Sequence, residues 1–250
     1  MHLPDLTPLQ WVFAVISALC IGVSKSGFPG ISLVNVVLMA KVFPPRESTG
    51  LVLPLLICGD ILAVITFQRH ANWLHIRRTL PIAMVGVVVG ALLMRRIDDV
   101  AFKHIIGAIV LCMVVLQAVN RIWPAAFERY LKTRGFAWFM GSSSGVSTMV
   151  ANAAGPVMTL YLLAVGLPKL EFVGTSAWFF LAINLFKVPF SLWLDLIHGG
   201  SLLLDLVLVP CVVVGLFAGR RLVDVIPQRP FEVLLLIFTA AFAMHFLGVF

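Results

Sequence analysis

Two lysines interrupt long apolar stretches of the sequence, where charged side chains are rare. Lys25 lies in a glycine-rich break near the N-terminus, and Lys187 lies inside a predicted membrane helix, 172–194. An ammonium near the bilayer centre costs at least about 2.5–3.5 kcal/mol on insertion scales, so it is usually paired or faces a functional cavity. We therefore predict that both lysines bind a small anion. Snorkelling of the Lys187 side chain toward the interface is the alternative.

Asp60 is the only acidic residue that the sequence places well inside a span, in the predicted helix 49–68. Asn184 lies 124 residues later, also in the middle of a predicted helix. Burial favours the neutral form of a carboxyl group, whereas a neighbouring lysine favours its charged form. Asp60 is therefore a candidate proton relay, or a counter-ion for Lys25 or Lys187. A purely structural ion pair is the alternative.

Two polar breaks divide apolar stretches into short arms. Residues 9–42 contain Gly22-Val-Ser-Lys-Ser-Gly-Phe-Pro-Gly30, and residues 136–166 contain a Gly/Ser-rich run followed by Asn152-Ala-Ala-Gly-Pro156. Each break precedes a new helix start, and a helix N-terminus offers free N–H groups and partial positive charge. Polar helix-packing contacts are the alternative explanation. Together with Lys25, Asn184 and Lys187, the predicted anion-binding residues are Ser24, Ser26, Gly27, Ser147, Thr148 and Asn152.

The composition requires a membrane to bury these breaks. Of 250 residues, 61% are apolar and 12% charged, and the mean hydropathy is +1.06, which excludes a soluble, disordered or disulfide-rich protein. Irregular backbone at membrane depth is tolerated only inside protein or beside a wet cavity. Six stretches are long and apolar enough for plain membrane helices. They are 49–68, 79–95, 104–120, 172–194, 202–219 and 231–250.

No catalytic or metal-binding pattern accompanies these spans. The four cysteines lie in apolar blocks without CxxC spacing, and no HExxH, nucleophile elbow or Walker loop is present. We expect no enzyme activity, no metal and no cofactor. The net charge of +7 comes from basic residues in short connectors, so we expect lipid and a small anion as partners rather than nucleic acid. A homo-oligomer is left open.

The chain is an internal duplication. Gly22-Val-Ser24 matches Gly145-Val-Ser147 at an offset of 123, and Val87-Val-Val-Gly90 matches Val212-Val-Val-Gly215 at an offset of 125. The repeats are 1–120 and 135–250, joined by the linker 121–134 within a single transporter domain. Each repeat consists of a broken, re-entrant hairpin and three membrane helices, so the predicted fold is an all-α polytopic membrane protein.

Charge counting favours repeats of inverted orientation. Parallel repeats with four crossings each would divide the connector lysines and arginines seven to nine, which gives no bias. Inverted repeats with re-entrant hairpins divide them eleven to five, as the positive-inside rule expects. This topology places both termini in the periplasm. The eleven cytoplasmic residues are Arg69, Arg77, Arg78, Arg121, Arg129, Lys132, Arg134, Lys169, Arg220, Arg221 and Arg229, and the five others are Lys41, Arg46, Arg95, Arg96 and Lys103.

The same features resemble a known family. The duplicated plan, Asn152-Ala-Ala-Gly-Pro156, Phe172-Val-Gly-Thr175 and Asn184-Leu-Phe-Lys187-Val-Pro189 are similar to the sulfite exporter TauE/SafE family, also called the toluene sulfonate uptake permease family. Many relatives have a GIGGG-like opening where this chain has Gly22-Val-Ser-Lys-Ser-Gly27. The resemblance implies a bacterial inner-membrane carrier of sulfite, sulfoacetate, sulfonates or other small organic anions.

The functional prediction is a secondary transporter of a small sulfur-containing or organic anion, coupled to protons. Its site would lie between the two hairpins and the helices that carry Asp60, Asn184 and Lys187. Two alternatives are a passive anion channel, which the same site could serve, and a non-transporting membrane subunit that binds partners through the basic linker.

Overall fold

The protein is described by a computed structural model for residues 4–96, 133–197, 199–227 and 230, and this part of the chain is helical without a β-strand. Short 3-10 turns at Pro29–Ile31 and Gln68–His70 connect the helices. The helices are α1 (Pro8–Lys25), α2 (Ser32–Val42), α3 (Pro45–Leu51), α4 (Leu53–Phe67), α5 (Trp73–Arg96), α6 (Arg134–Ala151), α7 (Ala154–Ala164), α8 (Lys169–Trp193) and α9 (Gly199–Val225).

Five helical stretches of the described chain are long and apolar enough to cross a membrane. Four correspond to the predicted spans 49–68, 79–95, 172–194 and 202–219, and the fifth is α1. The predicted spans 104–120 and 231–250 lie outside the described residues, as does most of the linker 121–134. The chain is therefore a multi-pass membrane protein, as its composition predicts. The five stretches are Pro8–Lys25, Arg46–His70, Trp73–Arg96, Lys169–Trp193 and Gly199–Val225.

Residues at the two breaks stop α1 and α6. The backbone of Gly27 has a φ of 131°, and Asn152 at the end of α6 has a φ of 52°. Glycine adopts such conformations without steric cost, and asparagine is one of the few other residues that tolerate the left-handed region. Each helix consequently ends at its break, and the chain begins a new helix in another direction.

Both broken regions fold back as helical hairpins. In the first, Ser17 on α1 donates a hydrogen bond of 2.6 Å to Asn35 on α2. Near the open end, the Lys41 Nζ lies 5.9 Å from the centre of the Phe13 ring. In the second, the Phe136 ring on α6 lies 6.0 Å from the Tyr161 ring on α7. In each hairpin, the start of the first helix thus lies beside the end of the second helix.

The duplicated sequence produces duplicated contacts. Gly22 packs so closely on α9 that a Cβ would overlap the backbone of Val212, and Gly145 packs in the same way on Ala83 and Val87 of α5. Gly22 matches Gly145, and Val87 matches Val212, at the offsets of the repeat. The first helix of each repeat therefore packs on a helix of the other repeat. The two halves are therefore intertwined.

Contacts also fix how the helices run relative to one another. Helix α4 runs antiparallel to α8, because Asp60 contacts Asn184 whereas Phe67 lies beside Gly174. Helix α1 runs parallel to α9, since Leu19 lies beside Gly215 and Val23 beside Gly219. Helices α5 and α6 are also parallel, because Gly141 lies beside Thr79 and Gly145 lies beside Ala83.

Candidate functional site

A buried ion pair lies where α4, α8 and the first break meet. The Lys25 Nζ is 2.7 Å from the Asp60 Oδ1, and the Asn184 Nδ2 donates to the Asp60 Oδ2 at 2.7 Å. Asp60 is fully buried, and the Lys25 ammonium also lies 4.8 Å from the centre of the Phe180 ring. Asp60 and Asn184, which the repeat relates at an offset of 124, are thus in direct contact.

Lys187 stabilises the second break rather than snorkelling. Its side chain is 1% exposed, and its Nζ donates to the Thr148 carbonyl at 2.8 Å and to the Asn152 Oδ1 at 2.5 Å. The Asn152 Nδ2 in turn donates to the Thr49 carbonyl at 2.9 Å. A cation at a helix C-terminus complements the partial negative charge of the last carbonyls. Lys187 therefore holds the end of α6 and its left-handed cap in place.

A small cavity lies between the two breaks. It encloses about 30 Å³, whereas one water needs roughly 10–15 Å³ by the same kind of measure. Both hairpins and α8 contribute to its wall, so it lies at the interface of the two repeats. Its lining includes Ser24, Lys25, Gly27, Ser32, Thr148, Asn152, Gly155, Ser176, Phe180 and Asn184.

The cavity contains most of the residues predicted to bind an anion, but not all of them. Three predicted residues, Ser26, Ser147 and Lys187, are buried beside the cavity without lining it. Ser26 donates to the Val23 carbonyl at 2.7 Å, and Ser147 donates to the Ser144 carbonyl at 3.1 Å. These two hydroxyls serve the backbone of their own helices. The predicted residues that line the cavity are Ser24, Lys25, Gly27, Thr148, Asn152 and Asn184.

The N-terminal turns of α2 and α7 open onto this cavity. Neither helix has a side-chain hydrogen bond at its N-cap, and Ser32, Ala154 and Gly155 line the cavity wall. A Cβ at Gly155 would overlap the Pro29 carbonyl, so glycine lets the two breaks touch. The first N–H groups of a helix lack intrahelical acceptors and carry partial positive charge. Both helix starts therefore favour a negatively charged occupant.

The ionisable groups around the cavity also favour an anion. Among the described residues, this buried cluster contains two basic side chains, Lys25 and Lys187, and one acidic side chain, Asp60. If all three are ionised, the cluster has a net charge of +1. Its donors are ammonium, amide and hydroxyl groups, and the described residues contain no cluster of three His, Cys, Asp or Glu side chains that could hold a metal.

The prediction that Asp60 is the only acidic residue well inside a span is wrong. Asp205 on α9 is 4% exposed, and neither of its carboxylate oxygens has a hydrogen-bond partner among the described residues. The predicted span began at residue 202, which put Asp205 at its edge. The helix begins at Gly199, so Asp205 is almost two turns inside it. The sequence Leu204-Asp205-Leu206 was the available signal.

Comparison with known proteins identifies the family. Neither curated proteins nor solved structures give a match to the chain. The profile described as sulfite exporter TauE/SafE matches residues 14–246, nearly the whole sequence and both repeats. Because both helix breaks, the cavity and α8 lie inside this match, the chain belongs to the sulfite exporter TauE/SafE family of membrane transporters.

Proposed function

We propose that this protein is a secondary transporter of a small sulfur oxyanion or organosulfonate, with the cavity between the two breaks as its binding site. The observation that carries the proposal is the cavity itself, with Lys25, two amide side chains and two uncapped helix starts on its wall. Discontinuous helices whose ends point at a substrate are a recurring arrangement in transporters. The family match supports a sulfur anion as the substrate class.

The directions of the helices support inverted repeats. Helices α4 and α8 occupy equivalent positions in the two repeats, and they run antiparallel. In parallel repeats, equivalent helices would cross the membrane in the same direction. Inverted repeats with two re-entrant hairpins account both for these contacts and for the eleven-to-five distribution of basic residues. In this proposal the protein lies in the inner membrane, as its family implies, and both termini are periplasmic, as the positive-inside rule favours.

Proton coupling would arise because Lys25 has two competing partners. In the structure its ammonium pairs with Asp60, 2.7 Å away, while the same residue lines the cavity. An anion that takes this ammonium leaves the buried Asp60 carboxylate without its counter-ion, a state that costs several kcal/mol. Protonation of Asp60 removes that cost. Anion binding and proton binding therefore favour each other, and the two would be carried together.

Lys187 takes a positioning role in this scheme. Its hydrogen bonds to Thr148 and Asn152 keep both residues at the cavity wall, and its charge adds to the attraction for an anion. In this scheme the Lys187 ammonium does not contact the substrate, because its hydrogen bonds go to protein oxygens.

Transport by purified protein in liposomes tests the proposal. Sulfite, thiosulfate, taurine, sulfoacetate and carboxylates are tested for uptake under an imposed pH gradient, with protein-free liposomes as the control. A carrier saturates and shows trans-stimulation, whereas a channel conducts a passive current. The Asp60→Asn variant should lose acceleration by the pH gradient and retain anion exchange. No anion movement under any gradient would instead favour a non-transporting subunit.

A further inference from the structure

A second cavity lies away from the central site, where α5 and α6 begin. It is an open groove of about 550 Å³, within the range of roughly 300–1,000 Å³ that small-molecule sites occupy. Its polar part consists of three guanidinium groups, and its remaining wall is apolar. The lining residues are Leu74, Arg77, Arg78, Pro81, Ile82, Val85, Arg134 and Trp138.

The three arginines lie at one end of the groove because α5 and α6 run parallel. Arg77 and Arg78 are in the second turn of α5, and Arg134 is the first residue of α6. Among the described residues, no carboxylate forms a salt bridge with any of these three side chains. The end of the groove therefore carries three guanidinium groups that form no salt bridge in this part of the chain.

The other end of the groove is apolar and open. Val85 on α5 is 54% exposed there. Trp138 on α6 is 58% exposed, and it lies level with the arginines because it precedes Gly141, which faces Thr79 and Ile82, by one turn. The exposed apolar face continues along α5 through Val89 and Leu92, which follow Val85 at helical spacing. Tryptophan is typical of the boundary between lipid chains and headgroups. This face thus presents basic groups at the interface and an apolar track toward the bilayer core.

We propose that this groove binds an anionic phospholipid, with its phosphate on Arg77, Arg78 and Arg134, its glycerol region beside Trp138, and an acyl chain along Ile82 and Val85. Arginine suits this role because its planar guanidinium donates two hydrogen bonds to one phosphate. A soluble phosphate would match only the arginine end. A lipid matches both ends, because its phosphate can bind the arginines while its acyl chain lies against the apolar wall.

The test compares two groups of arginines in the full-length protein. Arg77→Gln/Arg78→Gln/Arg134→Gln removes the charges of the groove. Arg220→Gln/Arg221→Gln removes two exposed arginines at the end of α9, which do not line the groove. Each variant is reconstituted in nanodiscs of phosphatidylcholine with or without phosphatidylglycerol. Bound phosphatidylglycerol is then counted by native mass spectrometry, and Tm is measured.

We expect phosphatidylglycerol to raise the Tm of the wild type and of the α9 variant but not that of the groove variant. Since each basic residue near an anionic lipid strengthens its binding several-fold, the affinity of the groove variant, which lacks three of them, should fall by about a hundredfold. Inorganic phosphate or glycerol phosphate alone should not raise Tm. Equal losses in both variants would show a general charge effect and overturn the site, as would stabilisation by soluble phosphate. Ile82→Gln, which keeps the arginines, should also weaken lipid binding.

Discussion

The two helix breaks face the same cavity but use their polar groups differently. In the first break, Lys25 is part of the break itself and pairs with Asp60 of the same repeat. In the second, the lysine comes from α8, and Lys187 binds the carbonyl and amide oxygens at the end of α6. The first break therefore presents an ammonium group to the cavity. At the second break, the ammonium group instead forms hydrogen bonds to the break itself.

This difference shows that the helix packing is duplicated in the two repeats, whereas the charged residues of the site are not. The close helix contacts at Gly22 and Gly145 are equivalent in the two repeats. The charged groups are not, because Lys25 corresponds to Thr148 and Lys187 to Ala63 at the offsets of the repeat. The duplicated fold thus brings two breaks together. Each break then differs in function because its lysine has no counterpart in the other repeat. The following variants test this division of roles.

The largest effect is expected for Lys25→Ala. Removing the lysine leaves the buried Asp60 without its counter-ion, and breaking one partner of such a pair typically costs about 3–5 kcal/mol. Thermal unfolding in detergent should show a strongly lowered Tm, and competition binding should show sulfite affinity reduced by roughly ten- to a hundredfold. The double variant Lys25→Ala/Asp60→Asn should recover Tm but not affinity. Recovery of both would mean that the pair is only structural.

Gly22→Ala and Gly145→Ala test the symmetric part of the comparison. At both positions a Cβ would overlap a carbonyl oxygen of the neighbouring helix, from Val212 and from Ala83. Overpacking of this kind costs about 1–3 kcal/mol, so the two variants should lose Tm by similar amounts. Gly135→Ala is the control, because its Cβ would meet no atom closer than 4.0 Å. A loss confined to one of the two glycines would contradict equivalent packing.

Lys187→Met tests the break that is held by its lysine. The variant keeps an apolar chain of similar length but leaves the Thr148 carbonyl and the Asn152 Oδ1 without this donor, at a cost of about 1–3 kcal/mol. We expect Tm to fall while sulfite affinity changes less than in Lys25→Ala. A larger loss of affinity than in Lys25→Ala, at unchanged Tm, would place Lys187 on the substrate instead.

The sequence predicted the arrangement of the breaks better than the direction of individual side chains. Duplication related Asp60 to Asn184 in the middle of two equivalent helices, and because these helices pack on each other, the proximity of the two residues followed from the repeat. The orientation of Ser26 and Ser147 did not, because it depends on how each helix turns before its break. Asp205 was missed for a different reason: α9 begins three residues before the predicted span 202–219, which buries a residue expected at the edge.

The smallest effect is expected from two serines of the first break. Ser24 lines the cavity, whereas Ser26 lies against Gly219 on α9, and each hydroxyl donates to a carbonyl of its own helix. Ser24→Ala and Ser26→Ala should therefore have similar effects on Tm. Only Ser24→Ala should weaken sulfite binding, by about two- to tenfold, because only the Ser24 hydroxyl can rotate from the Ile21 carbonyl into the cavity and donate to the anion, and one hydrogen bond contributes roughly 0.5–1.5 kcal/mol. Equal affinities in the two variants, measured by the same competition assay, would show that the Ser24 hydroxyl does not reach the anion and that the first break acts through Lys25 and the backbone alone.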